Sequence, residues 1–382
     1  MKILIAPDSF KESLEALEVC QAIKSGFSQV FPDASYTLIP MADGGEGTSA
    51  VLSYVLGGRW KAVIVHDPLM RLISAKYLLL PDATAVIEVA AACGLHLLTV
   101  AERNPSIASS YGVGELIKDA LSEGAKRIII GLGGSATNDA GVGMLTALGM
   151  VFYDQQGQPL VPGGDQLARL QRIDSSAFNP NILNTAFEVA CDVTNPLCGP
   201  LGASAIFGPQ KGANPEQVAR LDQSLSHFAT VCHQHGSYPN SENYQNIAGA
   251  GAAGGLGFAL MTFCGAQLQS GFDTVADAVD LSQHIAGADL VITGEGKLDA
   301  QTSMGKVAGG ISQLAKLSHT PVIAICGSVD GLKPAQTTQF DVVMPSIQKV
   351  DSIDKVLKYA YDNIETTAVN IAAAIRLGQN MK

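Results

Sequence analysis

The 382-residue chain is poor in charge and in aromatic rings, and poorer still in cations. Charged residues make up 15%, aromatics 6%, and Lys plus Arg number 24 against 35 Asp plus Glu. The net charge of −11 argues against nucleic acid and anionic membrane surfaces as partners. An anionic substrate must then be held by a few placed cations, by backbone amides or by a metal. The seven cysteines, Cys20, Cys93, Cys191, Cys198, Cys232, Cys264 and Cys326, include no C-x-x-C pair and have no histidine at ligand spacing. That pattern fits buried thiols in a reducing cytosol, so a cytoplasmic location is expected. The N-terminal MKILIAPDS stops at a proline and an aspartate after a short apolar run and does not read as a signal peptide.

Several catalytic signatures are also missing. Gly305-Lys306 is followed by Val307 and position 300 is not glycine, which excludes a P-loop; neither a G-x-S-x-G elbow nor an H-E-x-x-H helix is present. The uncharged run from Asn243 to Phe272 could span a bilayer by length and contains the pair Gly251 and Gly255. Its first half is glycine and alanine, and no Lys or Arg cluster flanks it, so it reads as a segment packed against a ligand or a neighbouring helix.

What is abundant is apolar residue, 47%, and glycine, 40 residues gathered in a handful of loops. With a mean hydropathy of +0.22 the chain can fill large cores, and its length makes two domains the default. The stretch around which the rest is organised is RIIIGLGGSATNDAGVG, Arg127 to Gly143. Ile128 to Ile130 end a buried strand. Gly131, Gly133 and Gly134 then open backbone angles closed to other residues, and Ser135, Thr137, Asn138 and Asp139 offer caps to a following helix. Strand, glycine loop and helix start together form an anion cradle made of backbone N–H groups. An isolated glycine triplet of this kind serves equally well as a tight structural turn.

In chain order, Lys2 to Ala6 reads as a strand, Ser9 with Glu12 as a capping box, and Leu14, Leu17, Cys20, Ile23 and Phe27 as a helix face. A second strand, Tyr36 to Ile39, leads into MADGGEGT and a helix near Thr48. From Trp60 the texture becomes strand-rich, and the α/β rhythm returns at Ala288 with a strand running into GEGKLDAQTSMGK, two further strands and a closing helix, Lys355 to Arg376. The fold expected is a discontinuous doubly wound, Rossmann-like parallel-sheet domain, residues 1–60 and 287–382, interrupted by an inserted second α/β domain, residues 61–286. The active site is expected in the cleft between them.

Four constellations at strand ends could carry chemistry: Asp8, Ser9 and Lys11; Asp43, Gly44, Gly45, Glu46 and Gly47; Asp192 with Asn195; and Glu295, Lys297, Asp299, Gln301 and Thr302, with Lys306 a turn later. Each alone reads as a helix cap or a solvated turn. Phosphoryl transfer needs this set of groups: oxygen ligands for Mg²⁺, amides and a lysine for phosphates, and a carboxylate to take the attacking hydroxyl's proton.

Together APDSFKES, PMADGGEGT, GLGGSATNDAG, ACDVTNPL and VITGEGKLDAQTSMGK resemble the bacterial glycerate kinase family that forms 2-phosphoglycerate, in order along nearly the whole chain. The resemblance implies ATP-dependent, Mg²⁺-requiring phosphorylation of D-glycerate. It places catalytic carboxylates at Asp8, Asp192, Glu295 and Asp299, with Asp192 and Glu295 also as metal ligands. Nucleotide contacts fall on Gly133, Gly134, Ser135, Thr137, Asn138, Lys297 and Lys306, and substrate contacts on Ser9, Lys11, Asp43, Gly44, Gly45, Glu46, Asn195 and Thr302. Which carboxylate is the base and which holds the metal stays open, as do the choice of 2- or 3-hydroxyl and the oligomeric state, a homo-oligomer among the options. One departure is that many family members have glycine where Glu12 stands. A rival reading uses Gly131, Gly133 and Ala136 as a dinucleotide fingerprint with Asp154 about 20 residues on, which would make the protein an NAD-dependent oxidoreductase of a small hydroxy acid. GLGGSA also resembles the phosphate loop of GHMP-type kinases, and a non-catalytic sugar-acid sensor is a third alternative.

Overall fold

A computed structural model of the chain describes residues 1–235, 244–299, 306–330 and 339–381. In chain order its strands are β1 (Lys2–Ile5), β2 (Ser35–Leu38), β3 (Arg59–His66), β4 (Leu72–Leu79), β5 (Thr84–Glu88), β6 (Arg127–Gly131) and β7 (Val151–Asp154). They continue as β8 (Leu170–Asp174), β9 (Ala186–Ala190), β10 (Gln267–Gln269), β11 (Leu290–Leu298), β12 (Val322–Val329) and β13 (Val342–Pro345). The chain divides into two compact units, one of residues 1–43, 50–55 and 275–382, the other of residues 44–49 and 56–274.

In the first unit the sheet order is β13-β12-β11-β1-β2 and every neighbouring pair is parallel. Ile3 stands opposite Leu290 and Ile5 opposite Ile292, so strands from both ends of the chain share one sheet. Ile3, Leu4 and Ile5 are all buried, as a parallel strand covered on both faces requires. The helices Ala16–Val30 and Ala360–Asn380 pack together on one face, where Val19, Ile23 and Phe27 meet Ile364, Ala368 and Ile371. Full burial of each such side chain contributes on the order of 1.5–3 kcal/mol. Their close crossing depends on Gly26, where a Cβ would lie 2.4 Å from the carbonyl oxygen of Glu365. The helix Val307–Leu317 packs on β11 outside that core and against the helix Leu281–Ala286, which completes the doubly wound arrangement.

Three local expectations need correction here. The first helix does not start at Ser9: the capping box is Glu15 with Glu18, and the Glu15 N–H donates to Glu18 Oε2 at 2.9 Å. The intervening residues close a tight loop through a Phe10–Leu14 bridge, with Glu12 in the left-handed region at φ 66°. Glycine adopts that region without strain, whereas Glu12 carries a side-chain penalty there. β11 runs on through Glu295 and Lys297 because Gly294 and Gly296 let β12 pass close by; a Cβ on Gly294 would lie 2.0 Å from the Ile325 carbonyl oxygen. The closing helix is two, Ile353–Lys358 and Ala360–Asn380, parted at Tyr359.

The second unit holds a six-stranded sheet, order β10-β9-β6-β5-β4-β3, in which β3 to β5 are antiparallel and the rest parallel. A separate hairpin pairs β7 with β8. Ile128, Ile129 and Ile130 of the interior strand β6 are fully buried. The uncharged run supplies the helix Ala252–Cys264, whose opening residues Ala253, Gly254 and Gly255 are all left-handed, at φ 51°, 67° and 94°. What these glycines pack against is the loop after β6: the Ala140 N–H donates to the Gly254 carbonyl at 3.0 Å, and a Cβ on Gly254 would lie 2.0 Å from Thr137 O. Among the described residues no helix is long and apolar enough to cross a membrane.

Candidate active site

In the first unit, the ends of β1, β2 and β11 bring carboxylates together. The Asp8 N–H donates to the Gly294 carbonyl at 2.9 Å, which fixes the residue just past β1 beside β11. Burial, then the neighbouring charge of Asp43 and, more weakly, of Glu295, push the Asp8 carboxyl up to about 7, against the opposing Ser9 N–H and Lys11. The Ser9 N–H and hydroxyl donate to Asp8 Oδ1 at 2.7 and 3.3 Å. Glu295 is 6% exposed and sits on β11 opposite Cys326. Lys11 reaches Asp43 at 3.9 Å, the outer limit of an ion pair, with its side chain 80% exposed. Such an ammonium keeps most of its hydration and can turn to an anion. The structure therefore gathers Asp8, Ser9, Lys11, Asp43 and Glu295.

Other members of the predicted set follow along the chain. Lys297, exposed two residues beyond Glu295 on β11, is ion-paired to Asp330 at 2.7 Å, and Asp299 follows it, partly buried. Lys306 precedes the helix Val307–Leu317 at its N-cap position. Gln301 and Thr302 lie outside the described residues.

In the second unit, Gly44 and Gly45 lie at the ends of β6 and β9. Gly44, at φ 80°, leaves no room for a side chain, since a Cβ would meet Ala190 Cβ at 2.5 Å and Gly271 Cα at 2.7 Å. A Cβ on Gly131 would lie 2.6 Å from Gly44 O, and one on Gly133 3.3 Å from Gly45 Cα. Two of the motifs thus touch through glycines alone. Glu46 is exposed, and the Thr48 hydroxyl donates to Gly45 O at 2.9 Å to start the helix Thr48–Leu56.

The glycine loop departs from the expected cradle in one respect. Its helix begins only at Val142 with Gly141 at the N-cap, and Asp139 before it accepts from the N–H groups of Gly141 and Gly143, each at 3.2 Å. Ser135, Thr137 and Asn138 are buried and cap nothing; the Asn138 amide donates to Ser204 Oγ at 3.0 Å, and its Oδ1 has no partner among the described residues. The exposed part of the loop is Gly133 and Gly134, and among the described residues no acceptor faces their N–H groups. A residue absent from the predicted set stands beneath them. Lys211, 2% exposed, donates from Nζ to Ser135 Oγ at 3.0 Å and to Thr137 O at 2.7 Å. Its only signal in the sequence is a lysine bracketed by Gly208 and Gly212.

Asp192 is exposed just past β9 and accepts from the Gly271 N–H at 2.8 Å, at the start of the helix Gly271–Ala278. Asn195 donates to Leu201 O at 2.8 Å. Asp154, which the dinucleotide reading needs for a ribose, is 5% exposed and accepts from the Gln156 and Gln158 N–H groups and from Arg169. It ends β7, which pairs with β8 and not with β6. The fingerprint therefore lacks its parallel neighbour strand and its acidic partner. Among the described residues no group of three or more His, Cys, Asp or Glu is arranged to hold a metal by itself.

The model of the glycerate kinase family matches residues 3–376 of this chain. A glycerate kinase of Haemophilus influenzae is 47% identical over 98% of this chain and 99% of its own, and a glycerate 2-kinase of Escherichia coli is 46% identical over 99% of both. A solved crystal structure named for glycerate kinase 2 of Salmonella typhimurium LT2 superimposes with a TM-score of 0.90 at 47% identity, covering 100% of this chain and 99% of that one. Similarity of this extent, end to end, assigns the chain: it belongs to the glycerate kinase family.

Proposed function

We propose that this protein transfers the γ-phosphoryl group of ATP to the 2-hydroxyl of D-glycerate, giving 2-phosphoglycerate and ADP. The observation that carries the reading is the Asp8 carboxyl, raised to about 7 beside Asp43 and Glu295. A carboxylate with that proton affinity is matched to accept the proton of an attacking hydroxyl near neutral pH. The Lys11 ammonium suits the glycerate carboxylate. The Gly133 and Gly134 amides suit phosphate oxygens, with Lys297 and Lys306 as further cations for the nucleotide. The E. coli relative's name, glycerate 2-kinase, supports the 2-position. Seven cysteines without a disulfide support a cytoplasmic setting.

The donor set fits Mg²⁺, because that ion binds through one or two carboxylates plus substrate phosphates and keeps several waters, so a closed cage of protein ligands is not needed. Glu295 in the first unit and Asp192 in the second are each a candidate carboxylate for it. When bound, the ion neutralises charge on the phosphates as the transfer proceeds. Burial first, and then the charges of Asp43 and Glu295, raise Asp8; a cation near these carboxylates would offset the charge part of that shift.

The test is direct. Purified protein given D-glycerate and Mg-ATP forms ADP and phosphoglycerate, EDTA stops turnover, and NMR of the product places the phosphate on the 2-oxygen. Absence of ADP formation at saturating glycerate refutes the activity. A 3-phosphate product refutes the regiochemistry alone, while a nicotinamide absorbance change, or binding without turnover, returns the rival readings.

A further inference from the structure

Resting on the kinase reading, we infer that Lys211 is a positioning residue for the nucleotide: its buried ammonium ties the two halves of the glycine loop together and holds the Gly133 and Gly134 amides toward the phosphates. Three observations support this. Lys211 spends its donors on two groups of one loop, the Ser135 hydroxyl at 3.0 Å and the Thr137 carbonyl at 2.7 Å, on either side of Ala136. The loop itself, residues 131–141, contains no basic residue, so a cation within hydrogen-bond reach of it has to come from another segment, as Lys211 does. The rest of the loop is clamped too: Leu95 donates to Gly134 O at 2.8 Å, Ala136 donates to Cys93 O at 2.8 Å, and Ala140 donates to Gly254 O at 3.0 Å.

A lysine in that place is costly as a structural element. Burying an ammonium with only neutral acceptors is disfavoured over filling the same volume with apolar groups. Desolvation lowers its proton affinity to about 8, with Cys93 and the buried Asp139 acting in the opposite sense; burial pushes the Cys93 thiol itself up to about 12, so it stays neutral. Asp139 has its own donors, the Ser110 N–H and hydroxyl and the N–H groups of Gly141 and Gly143, so it is not a dedicated counterion. A ligand anion over the Gly133 and Gly134 amides would supply the missing negative charge.

The experiment is a double-mutant cycle of Lys211→Met and Ser135→Ala, read by KM for ATP, KM for glycerate, kcat, and calorimetric binding of ATP. Lys211→Met is expected to raise KM and Kd for ATP by about tenfold or more and to leave KM for glycerate within about twofold. If Ser135 acts through Lys211, adding Ser135→Ala to Lys211→Met changes little further, whereas independent roles add. Additive effects, or an unchanged affinity for ATP in Lys211→Met, overturn the inference. Should Lys211→Met not fold, Lys211→Arg takes its place in the cycle with the same criteria. A wild-type protein that binds ATP but does not phosphorylate glycerate refutes the kinase reading and leaves the calorimetric cycle to decide on Lys211.

Discussion

At the residue scale the two carboxylates most open to test are Asp8 and Asp192, for opposite reasons. Asp8 holds its proton to about 7 in the folded chain against an ordinary 3.8, so its contribution to stability is present below the lower value and is lost as pH rises through the higher. Asp8→Asn removes that loss together with the proposed base. The variant is expected to melt above wild type at about pH 8, with the difference closing toward about pH 4, and to lose turnover by about a hundredfold or more. Thermal melts across pH together with kcat check both; a variant that melts lower at every pH and retains turnover makes Asp8 structural. In the wild type, kcat/KM is expected to rise with pH through about 7 as Asp8 ionises. Asp192 accepts the Gly271 N–H, and asparagine keeps an oxygen there. Asp192→Asn therefore isolates the charge, and turnover is expected to fall by about a hundredfold at nearly constant melting temperature. Asp192→Ala loses the cap as well, at a further cost of about 1 kcal/mol. Full activity in Asp192→Asn reduces the residue to a helix cap.

At the element scale, the glycine loop and the start of the helix Ala252–Cys264 behave as one piece. Ala253, Gly254 and Gly255 turn left-handed in succession and Gly254 touches the backbone of Thr137 and Asn138. Gly254→Ala is expected to destabilise the second unit by more than about 3 kcal/mol, because it adds both left-handed strain and a clash with backbone that cannot swing away. Chemical denaturation measures it; a loss below about 1 kcal/mol means the loop can yield. Sequence reading placed this run as packed against a neighbour, which it is, but could not name that neighbour. Glycine content marks close approach without saying to what. The same limit explains the misplaced first helix: Ser9 and Glu12 satisfy a local spacing, while the Phe10–Leu14 bridge that defeats it depends on residues further along the chain.

At the scale of the whole molecule, the division into domains at 60/61 and 286/287 stays a proposal, and limited proteolysis near those positions tests it. A chain ending near residue 285 loses β11, β12 and β13, three of the five strands of the first unit's sheet, and leaves only β1 paired with β2. Two strands alone are marginal in water, so far-UV circular dichroism and hydrogen exchange are expected to report an unfolded N-terminal segment; a cooperative native-like melt contradicts this. The amino-acid order by itself determined the α/β class and the shared sheet of the two chain ends. Apolar runs, glycines and acidic strand ends are local patterns, and each reports on its own neighbourhood. Only the tertiary structure decided that Glu295 rides on a strand, that Thr137 and Asn138 face inward, and that Lys211 stands under the loop. The physical reason is that burial and proton affinity depend on every element that surrounds a group. Lys211 lies 76 residues from Ser135, and nothing in either neighbourhood specifies the other.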